Sequence, residues 1–295
     1  MALHRPTPEL PRHLEALYRG FAFERSLADD PISSIRPRTH DVRSAEVLGI
    51  LAATLAIGNT TAIRGALARF FEIAGPVPER WLLETPRAER ARALAPFRHR
   101  WIRGDQVEYL ARTLAAYYAR HASLEDAFLA GSAAGGFSGG LDALAHVLRG
   151  DEARREVGAP PAGYRILFPS PLEMPRSPCK RLTLFVRWMV RGRYPDLGVW
   201  HRVPTGELRV PLDQHVHWIA YNLGLTARRT RSWAAVEEVS ERLRRIDPID
   251  PIRFDFVLCH TGISGDCPKE RDIAVCGPCS VRPDCRLWRG RRRAT

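Results

Sequence analysis

Four cysteines near the C-terminal end, Cys267, Cys276, Cys279 and Cys285, are spaced C-x8-C-x2-C-x5-C. Thiolates two residues apart reach one metal centre from a single turn, and the other two then close a tetrahedral set, so the spacing predicts either a Zn ion or a [4Fe-4S] cluster. Cys259, on the apolar segment PIRFDFVLCH, reads as a core residue instead. A second chemistry comes from scarcity. Of 45 basic residues, only Lys180 and Lys269 are lysine. An arginine stays protonated at any accessible pH, whereas a lysine can lose its proton and attack an electrophile, so the two residue types permit different chemistry. A third candidate is Asp213 in VPLDQHV. At the start of a helix its negative charge is favoured by the dipole, which suits both a plain helix cap and a carboxylate that must stay ionised.

The elements that position these groups read as helical. Asp41 to Ile57, Thr61 to Ala74 and Asp105 to Tyr118 carry apolar residues at three- and four-residue spacing and predict packed amphipathic helices. Ser123 is an N-cap with Glu125 and Asp126 just inside, and Ser232 caps a helix running to about Ile246. Strand-like alternation is nearly absent, so the expected fold class is all-α. The Gly-rich run Gly131 to Gly140 reads as a flexible loop, Pro160 to Pro178 as another, and Gly192 to Leu212 as a long helix-free connection.

Size and charge narrow the function classes. A chain of 295 residues with 45% hydrophobic content accommodates about two globular domains, which sets aside disorder and a coiled-coil rod. The net charge of +12 points to a polyanionic partner, with nucleic acid favoured over a membrane surface. The absence of an apolar run of membrane-spanning length, and of a signal-peptide core after Met1, predicts a cytoplasmic protein whose cysteines are reduced and available to a metal.

With the cysteines in place, the sequence resembles the helix-hairpin-helix DNA glycosylase superfamily, whose endonuclease III branch ends in a four-cysteine [4Fe-4S] loop with the same x2 and x5 spacings and a shorter first span. Val210 to Val216, followed by Trp218, Ile219 and the Asn222-Leu223-Gly224-Leu225 ending, looks like that superfamily's catalytic aspartate motif and places Asp213 on the catalytic carboxylate. Upstream, Met174 to Arg181 (MPRSPCKR) falls in register with the hairpin L-P-G-x-G-x-K-T and places Lys180 on the lysine nucleophile. Arg176 and Pro178 stand where the hairpin has glycines that let backbone amides approach a DNA phosphate, and proline has no N–H. The side chains of Arg176 and Arg181, beside Ser177, are therefore expected to make the DNA contacts. The segment Lys180 to Arg191 with Asp196 to Trp200 resembles an uncharacterised bacterial family, domain of unknown function 2400, over about Asp30 to Cys285.

The resemblance implies two helical domains. Residues 41–207 form a barrel-like domain with a degenerate helix-hairpin-helix, and residues 1–40 plus 208–295 form a discontinuous domain carrying the cluster loop. It implies a monomeric, nucleoid-associated DNA repair N-glycosylase that removes a modified base from duplex DNA, with associated abasic-site lyase activity through Lys180. The [4Fe-4S] cluster would be structural, with Zn as the alternative. Asn59 lies near the position of the side chain that fills the gap left by a flipped base. His215 is expected against the substrate strand, and Arg289 and Arg291 of the RLWRGRRR tail against phosphates. The Phe97-Arg98-His99-Arg100-Trp101 cluster mixes cationic and aromatic groups, as a nucleic-acid surface or a solvated helix end would. The competing expectation is a non-catalytic DNA- or RNA-binding iron-sulfur or zinc protein on the same scaffold.

Overall fold

The computed structural model describes residues 6–28 and 30–289. The fold is all-α. Among the described residues the strands reduce to one short antiparallel hairpin, Arg98–His99 with Ile102–Arg103. The chain divides into two compact units. A central unit holds Leu27–Met174 and Arg181–Pro204, and a terminal unit combines the segment up to Ser26, Pro175–Lys180 and everything from Thr205 onward. Against the division at 41–207, residues 27–40 group with the central unit, and the short Pro175–Lys180 turn groups with the terminal one.

The central unit is built around the Val42–Leu55 helix. Its start is set by a reciprocal cap in which Asp41 accepts from the Ser44 amide and Ser44 accepts from the Asp41 amide. This helix was expected to be amphipathic, but every residue from Ser44 to Leu55 is buried. Apolar side chains on all faces make a helix that other helices surround. The one carboxylate inside, Glu46, accepts from Tyr118 Oη (2.7 Å), Ser123 Oγ (2.5 Å), the Leu124 amide (3.0 Å) and Trp200 Nε1 (2.6 Å). A buried acid with four donors meets its desolvation cost through hydrogen bonds. The same contacts fix the 192–204 connection, since Trp200 is part of the Glu46 shell. Asp196, also in that stretch, is buried between Arg187 Nε (3.2 Å) and Arg191 Nη1 (3.1 Å).

The Gly-rich run is not a loop. Residues Leu124–Arg149 are helical throughout except at Gly135 and Gly136, where the backbone breaks and Gly136 takes φ 59°. The two helical arms fold back on each other so closely that a Cβ on Gly131 would run into the carbonyl of Gly139, and one on Gly140 would meet the Phe128 ring at 2.6 Å. The glycines provide a close helix crossing, a packing role that composition alone cannot distinguish from flexibility.

In the terminal unit the Leu10–Arg19 helix is tied to the cysteine-bearing segment. The buried Asp284 carboxylate pairs with His13 Nδ1 at 2.6 Å and accepts from the Thr7 amide at 3.1 Å. Arg253 reaches Glu15 of the same N-terminal helix at 2.6 Å. The Gln214–Asn222 helix begins at Asp213 and ends where Gly224 turns left-handed at φ 73°, allowing the Leu225 amide to reach back to the Ala220 carbonyl at 2.8 Å. The Asp255–Ile263 helix packs beside it.

Candidate active site and cysteine cavity

The site starts from a helix cap. Asp213 Oδ1 accepts from the amides of His215 (2.8 Å) and Val216 (2.9 Å), which satisfies two of the helix's orphan donors. Its other oxygen, Oδ2, lies 3.6 Å from Lys180 Nζ and accepts from Cys259 Sγ at 3.4 Å. The helix cap thus uses one oxygen of the group and leaves the other facing Lys180. Its side chain is 12% exposed and that of Lys180 is 32% exposed.

Burial pushes the Asp213 carboxyl upward, but the Lys180 ammonium, the Val216 amide, His215 and the Cys259 thiol together hold it below the usual aspartate value. At an effective dielectric near 20, a pair of charges this far apart attracts by on the order of 4 kcal/mol, comparable to the several kcal/mol that desolvation costs each ion. The net direction shows the attraction prevailing, so Asp213 is an anion at neutral pH. Cys259 is pushed well above the ordinary thiol range by burial and by the Asp213 charge, so it is a thiol and a donor.

The turn that presents Lys180 is stiff. Cys179 adopts φ 49°, a left-handed conformation uncommon for a residue with a side chain, and its amide donates to Ser177 Oγ at 3.1 Å. The Pro175 carbonyl accepts from the Trp233 amide at 3.0 Å, which ties the turn to the start of the Trp233–Ile246 helix. Arg176 is exposed on this turn. Ser177 is committed to the turn's own backbone. Arg181 groups with the central unit, where its Nη1 reaches the carbonyls of Ile166 (3.4 Å) and Leu167 (3.3 Å) and its guanidinium lies over the Trp101 ring at 5.7 Å. Burial lowers its pKa to about 10. These internal contacts, not a solvent-facing pose, occupy Arg181.

His215 packs against Gly262, whose missing side chain is required there, since a Cβ would meet His215 Cβ at 2.6 Å. The Nε2 of His215 sits 3.2 Å from the Gln214 amide group. Asn59, in the central unit, caps the Thr60–Ala74 helix by accepting from the Ala62 amide at 2.8 Å. The structure therefore brings Asp213, Lys180 and His215 into one unit and places Asn59 and Arg181 in the other. Arg289 is exposed at the end of the short Arg286–Arg289 helix, and Arg291 lies outside the described residues. The residue that sequence reasoning missed is Cys259. Its signal was the spacing to Gly262, which puts both on one face of a helix.

The four cysteines all line a single cavity. Ile219, Asn222 and Leu223 of the Asp213-capped helix share it, with Val281, Leu287 and Trp288. Trp288 is flanked by Arg271 at 3.9 Å and Arg282 at 5.1 Å from its ring centre. Burial and the neighbouring thiols Cys285, Cys279 and Cys276 push the Cys267 thiol up to about 12. Among the described residues, only Asp142, His146 and Glu173 bring three ligand-type atoms within 4.8 Å of one another. That trio lies in the central unit and joins a wider set of ion pairs. Glu173 pairs with the buried Arg149, and Asp151, which holds His146 Nδ1 at 2.9 Å, pairs with Arg154 (3.1 Å) and Arg165 (2.6 Å). Within the trio two guanidiniums, Arg149 and Arg165, face Glu173, while Asp142 faces His146 and the Ser170 hydroxyl, so the group is part of a salt network.

Residues 30–264 match the family profile described as a protein of unknown function, DUF2400. The chain belongs to this family. The matched DUF2400 segment includes Lys180, Asp213 and Cys259 and ends before Cys267, so the cysteine cavity lies outside it apart from its lining by the Gln214–Asn222 helix. No curated protein and no solved structure matches the chain. Among the described residues, no helix is long and apolar enough to cross a membrane.

Proposed function

We propose that this DUF2400 protein is a DNA N-glycosylase that removes a modified base from duplex DNA. The observation that carries the reading is the divided use of Asp213, one oxygen spent on the helix cap and the other held ionised toward Lys180. Breaking a glycosidic bond builds positive charge on the sugar, and a fixed carboxylate whose proton is already gone stabilises that charge without reorganising. The cap hydrogen bonds supply the rigidity, and the depressed pKa supplies the charge. The exposed Arg176 and Arg289, together with the net charge of +12, suit a phosphate backbone.

Lys180 is the amine of an associated abasic-site lyase step. An amine attacks only as the free base, so the ammonium must first give up a proton to solvent, Asp213 being held ionised throughout. Attack on C1′ of an abasic sugar then gives a Schiff base with loss of water. The second reading, a non-catalytic nucleic-acid-binding protein, is favoured by the replaced hairpin glycines at Arg176 and Pro178.

Cys267, Cys276, Cys279 and Cys285 would hold a structural [4Fe-4S] cluster. A tetrahedral Zn ion with Zn–S bonds of about 2.3 Å would draw the sulfurs to roughly 4 Å of one another. The four cysteines line one mostly apolar cavity, and four thiolates can serve either group. When bound, the cluster supplies rigidity to the Arg-bearing segment rather than bond-breaking chemistry.

The test is base release from duplexes carrying single modified bases. Wild-type protein is expected to release at least one, and Asp213→Asn to lose that release while keeping DNA affinity. DNA binding without release from any duplex would establish the non-catalytic reading. Borohydride trapping on an abasic duplex separates the lyase step: the adduct should vanish in Lys180→Ala, and an undiminished adduct would remove Lys180 from the mechanism. A visible charge-transfer band in anaerobically purified protein is expected, and colourless protein with stoichiometric zinc would replace the cluster by zinc.

A further inference from the structure

We infer that Cys259 is a positioning residue for Asp213, its thiol holding the oxygen that faces Lys180. The inference rests on the reading of Asp213 as the working carboxylate. A carboxylate anchored through one oxygen can still rotate about its Cβ–Cγ bond, and such rotation would exchange the capping and working oxygens. Oδ1 is held by two amides on the cap side. Oδ2 receives a single thiol donor from the neighbouring helix, 3.4 Å away. Three donors on defined sides leave one orientation of the carboxylate plane.

The donor is where it is because of how two helices meet. Asp255, Cys259 and Gly262 recur at four and three residues along the Asp255–Ile263 helix, so they share its face. Gly262 lets that face approach His215, two residues past Asp213, more closely than any side chain would permit. Cys259, one turn before Gly262, is thereby brought to Asp213 itself. The charged and titratable groups facing the carboxylate are Lys180 from the Pro175–Lys180 turn, His215 from its own helix and Cys259 from the packed helix, with Asp255 acting on Cys259. A donor to the ionised form favours that form. Cys259 thus reinforces Lys180 in keeping Asp213 charged and aims the charge.

The test uses the full-length holoprotein and follows the Asp213 carboxyl directly, by carbon-13 NMR titration of the aspartates with Asp213→Asn for assignment. In Cys259→Ala the Asp213 midpoint is expected to rise by roughly half to one pH unit, the equivalent of one lost net hydrogen bond. Cys259→Ser, which keeps a donor, should return it toward wild type. The acid limb of base release should move in the same direction in the same variants. An unchanged midpoint in Cys259→Ala with the thermal transition retained, or a serine variant that behaves as the alanine one does, overturns the inference. A wild type that releases no base removes the proposed function, while the titration still decides whether Cys259 holds Asp213.

Discussion

Two clusters of paired charges sit in this protein and they are built differently. In the central unit, His146, Asp142, Asp151 and Glu173 are laced to Arg149, Arg154 and Arg165, with each described cation close to a carboxylate. In the terminal unit, Asp213 meets a single lysine, uses its other oxygen to cap a helix, and takes a thiol as its last neighbour. The first arrangement holds Asp151 and Glu173 with guanidiniums, which grip carboxylates in a fixed geometry. The second pairs the carboxylate with an ammonium at a looser 3.6 Å, a contact that a developing positive charge can replace. The first network holds its carboxylates through several guanidiniums, and the second holds Asp213 through one ammonium, one thiol and the cap amides.

Removing Arg149 is the strongest way to break this contrast. Its side chain is fully buried, it donates from Nε to the Phe168 carbonyl at 2.8 Å, and it carries Glu173. Arg149→Ala should cost about 1–3 kcal/mol by leaving the buried Phe168 carbonyl without its donor, seen as a lowered unfolding midpoint in urea. DNA affinity per folded molecule should be retained. If stability is unchanged, the network is not the structural one described above.

Asp213→Asn should do the opposite. The asparagine oxygen can keep the cap, so stability should change little, while base release falls by about 10²–10³-fold, the usual effect of removing one preorganised electrostatic partner. Gly262→Ala comes next. The new methyl must displace His215 and with it the helix that carries Cys259, so about 1–3 kcal/mol of stability should be lost, with a parallel loss of base release. A stable, active Gly262→Ala protein would show that the close helix contact does not position the site.

The smallest effect is the pH dependence. Because the folded-state pKa of Asp213 is depressed below its ordinary 3.8, its ionised form contributes stability that is fully present above that value and is lost as pH falls through the lower folded value. The stability difference between wild type and Asp213→Asn should therefore be constant near neutrality and shrink below about pH 4. A difference that instead grows with acid would reverse the sign assigned to the Lys180 contact.

Much of the fold was legible because helix signals are local. Ser123 and Asp213 cap the helices they precede and the Gly224 ending closes the Gln214–Asn222 helix, whereas Ser232 stands at the start of the Trp233–Ile246 helix without a side-chain cap bond. The failures came where the deciding partner is distant. The Gly131 to Gly140 run reads as a flexible loop until its neighbours are known to be the facing arm of a helix hairpin. Likewise nothing beside Arg181 in the sequence announces its contacts with the carbonyls of Ile166 and Leu167.

By itself, the sequence determined the candidates: four cysteines at ligand spacing, an aspartate that must start a helix, and a lysine where arginine is the rule. Those follow from side-chain chemistry and from spacing along one helix, which a string of residues contains. Only the tertiary structure decided which oxygen of Asp213 caps and which faces Lys180, and that a thiol 46 residues onward completes the set. The reason is physical. Orientation and charge state depend on burial and on groups brought near by helix packing, and a glycine at 262, not any residue next to Asp213, sets how near they come.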